Sequence, residues 1–350
     1  MIFVGCDFHS RFQRIAMLDT EIGELIEQSL SHENGEAKQF YASLNAPARV
    51  GVESTGTTQW FERLLGELGH ELWIGDAAQI RAMVIRKQKT DSRDAAHLLT
   101  LLMSDRFPRI WVPTPQDRDA RQLIVHRQKL VRMRASIKNQ LHGLTMSQGI
   151  CRKTKLWSKQ GRQELEVLPL EPWANLRRHE LLRMLDQLES SVEELNRSVA
   201  HEASMREDAT LLMTHPGIGP NIALAFVLTI GPADRFERSK QVVSYLGLNP
   251  KEYSSGGRQH LGRISKQGNM MMRWLLVEGA QSAVKYDAEL RRDYLRLKFR
   301  RSSGIAIIAI ARKLAIRMYW MLRTQADYAQ LVRMQGSPRG TLVTDSSSSF

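Results

Sequence analysis

Four carboxylates stand where apolar runs end and a helical pattern begins. Asp7 closes Ile2-Phe3-Val4-Gly5-Cys6, and Glu53 closes Ala48-Arg49-Val50-Gly51-Val52. Asp91 and Asp94 are three apart at the start of a helix, so they share a face about 5–6 Å from each other. If the two strands are neighbours and the helix packs across their ends, all four acids converge. Such a cluster repels itself unless cations sit in it. Hard oxygen ligands with no nearby cysteine or histidine cluster favour Mg2+ or Mn2+. Two such ions clamp the attacking and leaving oxygens of a phosphodiester. Taken singly, each acid has a plainer reading as a solvated strand end or a first-turn charge that suits the helix dipole. Spacing alone leaves both readings open.

A second chemistry is available at Ser255. It lies in Ser254-Ser255-Gly256-Gly257, just before Arg258, Arg263, Lys266 and Arg273. Ser-Gly pairs ordinarily mark loops. A serine that attacks a phosphodiester, however, needs cations at the developing phosphorane, and arginine supplies them in a planar fork. Three regions are candidates for nucleic-acid contact. They are the basic stretch 121–138 with Arg127, Arg132 and Arg134, the hairpin with Gly217 and Gly219, and the segment 258–273. Tight glycine turns between helices expose backbone N–H groups that hold phosphate. The plain reading of any one charge run is a solvated face; with three of them, contact is expected for at least two.

The balance of the 350 residues points the same way. Fifty Lys and Arg against 37 Asp and Glu leave a net charge of +13, which suits a polyanion, and nucleic acid is the commonest one. A hydrophobic share of 42% excludes a mainly disordered or collagenous chain. Only Cys6 and Cys151 occur, so a reducing cytoplasm is expected rather than a disulfide scaffold. An acid at position 7 comes too early for a secretory leader, and no apolar stretch approaches the ~18 residues that a membrane span needs.

The elements that must position these residues fall into four pieces. Residues 1–75 read as strands with one helix inserted: a hairpin from Ile2–Cys6 and Ile15–Leu18, a strand at 48–53, and a further strand at 71–74. Between the last two, Thr55 to Thr58 offer capping hydroxyls to a helix with Trp60, Leu64, Leu65 and Leu68 at helical spacing. A mixed sheet with packed helices follows from that order. Residues 89–104 form a helix, and Pro108, Pro113 and Pro115 punctuate a linker. From 117 to 205 the pattern is helical and elongated. Leu123, Leu130, Ile137 and Leu144 recur every seven residues, and Leu181, Leu185, Leu188, Val192, Leu195 and Val199 alternate at four and three. This is a coiled-coil seam, equally suited to a hairpin within one chain or to a second copy. From 206 to 335 the chain is helical again, with an apolar helix at 305–322, and a tail with four consecutive serines is expected to be disordered.

Taken together, these blocks carry a resemblance. Val4-Gly5-Cys6-Asp7, Gly51-Val52-Glu53-Ser54-Thr55-Gly56 and Lys89-Thr90-Asp91-Ser92-Arg93-Asp94-Ala95 resemble the DEDD signature of the one-hundred-and-ten family of insertion-sequence transposases, which is also similar to the Piv DNA invertases. In the second half, Pro216-Gly217-Ile218-Gly219, Arg235-Phe236, Tyr245-Leu246-Gly247-Leu248, Ser255-Gly256 and Ile264-Ser265-Lys266-Gln267-Gly268 resemble that family's C-terminal domain in order and spacing. The resemblance implies an α/β RNase-H/RuvC-like domain at 1–115, a helical coiled-coil insertion at 116–205 and a mainly α transposase domain at 206–335, and it leaves out the serine-rich tail at 336–350, whose composition predicts disorder. It implies Asp7, Glu53, Asp91 and Asp94 as catalytic ligands of Mg2+ or Mn2+, and Ser255 as the nucleophile that links covalently to DNA. Ser254, directly before it, is the one-position alternative. Implied partners are donor and target DNA, a non-coding bridge RNA that selects them, and further copies in a dimer or tetramer, with no membrane and a cytoplasmic, nucleoid-associated location. The function that follows is bridge-RNA-guided recombination through a phosphoserine intermediate. The alternatives are a metal-dependent RuvC-like endonuclease acting by hydrolysis, a Piv-like invertase, and a binding protein whose acids are structural.

Overall fold

The computed structural model describes residues 1–56, 58–84, 90–151, 155–253 and 260–336. The chain divides into two units, Met1–Val112 and Pro113–Phe350.

The first unit is built on a five-stranded sheet. Its strands are β1 (Ile2–Phe8), β2 (Phe12–Asp19), β3 (Leu25–Ser31), β4 (Ala48–Glu53) and β5 (Glu71–Gly75), in the spatial order β3-β2-β1-β4-β5. β1, β2 and β3 form an antiparallel meander; β4 and β5 run parallel to β1 and are reached through α1 (Glu36–Ala42) and α2 (Gln59–Glu67). The expected hairpin and the strands at 48–53 and 71–74 are present. The edge strand β3 and helix α1 extend the expected set, so two helices rather than one lie within residues 1–75. Thr58 is the N-cap of α2, but its hydroxyl makes no capping bond, so the helix is held by packing of Phe61, Leu64 and Leu65 instead.

The two sheet faces differ in kind. Val4, Cys6, Ile15, Val50 and Val52 point to one face, where they bury against Tyr41 of α1 and Phe61 and Leu65 of α2. Each such side chain contributes about 1.5–3 kcal/mol by leaving water. The opposite face carries Gly5 and Gly51 in register on adjacent strands. Helix α4 (Asp91–Met103) lies across it, after the short α3 (Ala77–Ala82). A Cβ on Gly5 would sit 2.2 Å from the Ala95 carbonyl oxygen and 2.3 Å from the Leu99 amide nitrogen. Only glycine lets α4 come this close. The approach sets its first turn, which carries Asp91 and Asp94, against the end of β1.

Among the described residues the second unit is helical apart from the two-stranded ribbon β6 (Pro250–Glu252) and β7 (Leu261–Ile264). Helices α5 (Pro115–Ser147) and α7 (Pro172–Ser204), with α6 (Lys159–Glu166) between them, pack antiparallel on each other: Asp117 pairs with Arg206, Arg127 with Asn196, and Lys138 with Glu189. Pro115 is not linker but the first residue of α5, where its missing N–H costs nothing. The heptad positions Ile137, Leu144, Leu181 and Leu185 meet in one apolar cluster within the chain. The remaining helices are α8 (Glu207–Met213), α9 (Pro220–Ile230), α10 (Ser239–Tyr245), α11 (Met270–Tyr286), α12 (Ala288–Arg300), α13 (Ser303–Thr324) and α14 (Tyr328–Gly336). Their core joins Phe226 and Leu224 of α9 to Leu276 of α11 and Ile310, Leu314 and Met318 of α13. No helix among the described residues is long and apolar enough to cross a membrane.

Candidate metal centre

Asp7 and His9 lie two apart at the end of β1, so both extend from the face that α4 covers. Thr90 caps α4 by accepting the Arg93 N–H, so the helix begins at Asp91. Asp7 Oδ2 and His9 Nε2 are 3.1 Å apart, a hydrogen bond when that nitrogen carries the proton. The same nitrogen lies 3.7 Å from Asp91 Oδ2. One ligand atom from each of Asp7, His9 and Asp91 falls within 4.8 Å of the other two. The His9 ring is fixed from behind by stacking on Phe12, centroid to centroid 4.6 Å.

The surroundings of Asp7 disfavour its charged form. Burial pushes its carboxyl above the usual carboxylate range; His9 opposes the rise, and Asp94 and Asp91 add to it. A divalent cation would remove this penalty, and the donors present, two or three carboxylates and an imidazole at one strand end, fit one. Carboxylate oxygens suit Mg2+ and Mn2+, while an imidazole beside them either ligates or orients a carboxylate.

Of the four sequence-identified acids, the structure brings Asp7, Asp91 and Asp94 into one electrostatic group. Glu53 is next to Asp7 in the sheet, one residue past the Cys6–Val52 pair, but its carboxylate is 3.5 Å from Arg81 of α3. Arg81 is exposed, and an ion pair of that kind is worth about 0–1 kcal/mol, so little holds Glu53 there. His9 was not singled out from sequence. Its only signal was the period-two spacing from Asp7.

The other candidates are placed less alike than their charges suggest. Arg132 is exposed on α5, whereas Arg127 and Arg134 are half-buried. Arg127 Nε donates to Asn196 Oδ1 of α7 at 2.7 Å; burial, with Arg134 nearby, lowers its pKa. Arg263 on β7 and Lys266 are exposed. Arg273 is turned inward, donating to the carbonyls of Leu246 at 3.1 Å and Gln267 at 2.5 Å. Gly217 has φ +87°, and a Cβ there would lie 2.5 Å from the Ala283 amide nitrogen, so close packing on α11 requires this glycine. Gly219 caps α9 ahead of Pro220 with open space around it. Ser254, Ser255 and Arg258 lie outside the described residues.

Comparison with known proteins gives this geometry its context. Residues 4–147 match a DEDD transposase family model, and residues 209–295 match the model described as the transposase IS116/IS110/IS902 family. A probable family 20 transposase of Pseudomonas aeruginosa is 30% identical over 304 residues, which cover 82% of this chain and 87% of that relative. The chain belongs to the IS110 family of transposases. The transposase for insertion sequence element IS1328 of Yersinia enterocolitica is 28% identical, over 82% of this chain and 86% of its own length. That for IS1111A of Coxiella burnetii is 26% identical, over 82% and 80%. As a transposase the protein is an enzyme that acts on DNA. The DEDD transposase match begins in the α/β sheet unit, and a mainly helical remainder follows.

Proposed function

We propose that this transposase is a bridge-RNA-guided recombinase that cuts and rejoins DNA through a phosphoserine, with Asp7, Asp91 and Asp94 holding Mg2+ or Mn2+ and Glu53 joining them once released from Arg81. The observation that carries the reading is the convergence of the β1 and α4 acids around His9. The order β3-β2-β1-β4-β5, an antiparallel meander continued by parallel strands, supports an RNase-H/RuvC-like domain over 1–115. The antiparallel α5–α7 pair supports a coiled-coil insertion over 116–205, ahead of the transposase domain at 206–335; assembly into a dimer or tetramer and a cytoplasmic location belong to the same reading.

In this mechanism a bound divalent ion supplies Lewis-acid polarisation of the scissile phosphate. The protein's own residues do the rest. Asp7, with its proton affinity raised by burial, is oriented by His9. Ser255 Oγ forms a bond to phosphorus as the bond to the leaving strand oxygen breaks, and that oxygen takes up a proton. The hydroxyl of the incoming strand then attacks the phosphoserine and releases Ser255. One diester is exchanged for another, so no nucleotide hydrolysis is needed. Ser255→Ala is expected to keep DNA and RNA binding but form no covalent adduct on a nicked suicide substrate, whereas Ser254→Ala still forms it. An adduct that maps to Ser254 moves the nucleophile by one residue. Strand hydrolysis by the wild type without any adduct replaces this reading with a metal-dependent nuclease.

A further inference from the structure

Helix α12 sorts its charges by side. Its inward stripe buries Leu290 and Asp293 and half-buries Tyr294 and Leu297. Its acids are all engaged: Asp287, the N-cap, and Glu289 bond Arg317 of α13, and Asp293 pairs with Lys313 and Arg296. What faces solvent is the reverse. Arg291, Arg292, Lys298, Arg300 and Arg301 are exposed, and none has a carboxylate partner among the described residues. In their midst stand Leu295, 52% exposed, and Phe299, 93% exposed. Residues 291, 292, 295, 298 and 299 follow the three-and-four spacing of one helix face, so Arg291, Arg292 and Lys298 share it with the two apolar side chains, and Arg300 and Arg301 follow at the helix end.

A solvated helix face accounts for the arginines but not for Phe299. Leaving a phenylalanine in water forgoes the gain from burying it, and an exposed aromatic beside cations that have no carboxylate partner among the described residues fits a partner that offers both anions and flat rings. Nucleic acid is that partner. Guanidinium forks match phosphates, and an aromatic ring stacks on an unpaired base. An acidic protein surface would answer the charges and leave Phe299 without a counterpart.

We infer that α12 is a nucleic-acid-binding helix of this transposase, with Arg291, Arg292, Arg300 and Arg301 on phosphates and Phe299 stacked on an unpaired base. The inference deepens the recombinase reading by naming where an unpaired stretch, of DNA or of RNA, is held. The test uses the full chain in EDTA, so that no strand chemistry enters, with three labelled probes: a DNA single strand, an RNA stem-loop and a DNA duplex. Phe299→Ala is expected to weaken binding to one of the first two about five- to hundredfold while leaving the salt slope and duplex binding unchanged. Phe299→Trp restores it. The double change Arg291→Ala, Arg292→Ala is expected to flatten the log–log salt dependence by about 1.4 for two single-strand phosphates. Which probe responds distinguishes DNA from RNA. Wild-type affinity and slope in either the Phe299 or the double arginine variant overturns the inference. So does a change in mass by light scattering with oligonucleotide affinity unchanged, which makes the face a protein surface. Adduct formation by the same proteins with Mg2+ in place of EDTA tests the serine mechanism separately, so the two failures are told apart.

Discussion

Two groups of acids, one in each unit, show how neighbours decide what a carboxylate does. Asp287 is buried, accepts from Arg317 at 2.5 Å, from Tyr328 Oη at 2.8 Å and from the Leu290 N–H at 2.8 Å. Burial alone would raise its pKa, but those donors and the Arg317 charge overcome it and hold the carboxyl below its usual value. Asp7 is also partly buried, yet its close partner is one histidine, and further carboxylates stand behind it, so its carboxyl is held above its usual value. The same side chain is a satisfied structural anion in α12 and an under-compensated one at the end of β1. The difference is the arginine. At Asp7 a bound divalent cation would do what Arg317 does for Asp287.

Breaking the structural anion is the largest expected effect on stability. Arg317→Ala leaves Asp287 buried and unpaired, at a cost of about 3–5 kcal/mol by thermal or urea melts. Adding Asp287→Leu to a methionine at 317 should recover most of it. Asp7→Asn removes an anion that is already disfavoured, so its stability should stay within about 0.5 kcal/mol of wild type or rise, while recombination in cells falls to background. Because residues acting as a unit are not additive, Asp7→Asn with Asp94→Asn should be little worse than either change alone. Destabilisation by Asp7→Asn on the scale of Arg317→Ala would erase the contrast between the two groups.

A pH scan sharpens it. His215 packs its ring against Tyr328, 4.6 Å between centroids, and burial lowers its pKa to about 4, partly offset by its bond to the Pro216 carbonyl. The folded chain therefore keeps the ring neutral where the unfolded chain takes a proton near 6.5. This contribution is full above about pH 6.5 and is lost as pH falls toward 4, by up to about 3 kcal/mol. Asp287, held low, loses its share only further down. His215→Gln should flatten the decline between pH 6.5 and 4; an unchanged slope assigns the decline to other groups. The smallest effect is expected at Arg81. Arg81→Ala removes an exposed partner of Glu53 and should change stability by less than about 1 kcal/mol, without lowering recombination.

Much of this was legible from residue order. The β1–β2 hairpin, β4, β5 and α4 announce themselves by period and by glycines, and Asp91 and Asp94 share the first turn of α4, as their spacing suggests. What was not legible depends on packing. β3 is an edge strand whose Leu25, Ile26 and Leu30 are diluted by Glu27, Gln28 and Ser29, so it lacks an apolar run. Glu53 meets Arg81 through α3, a six-residue helix with little pattern. A heptad does not say who its partner is; the α5–α7 contacts place Leu181 and Leu185 on Ile137 and Leu141 of the same chain. Basic side chains look alike in a row of letters, yet Arg127 and Arg273 tie the fold together while Arg132 and Arg263 face water. The run 291–301 reads as one more charge run, since only the structure shows Asp293 turned inward and the basic side chains left outside.

The central claim is that the β1–α4 acids hold a divalent cation, and Mn2+ binding measures it directly. Calorimetric or spin-resonance titration of the full chain without nucleic acid is expected to show a Mn2+ site that Mg2+ competes for, that Asp7→Asn and Asp91→Asn each abolish, and that Asp287→Asn leaves intact. Equal Mn2+ binding by the wild type and Asp7→Asn would contradict the account.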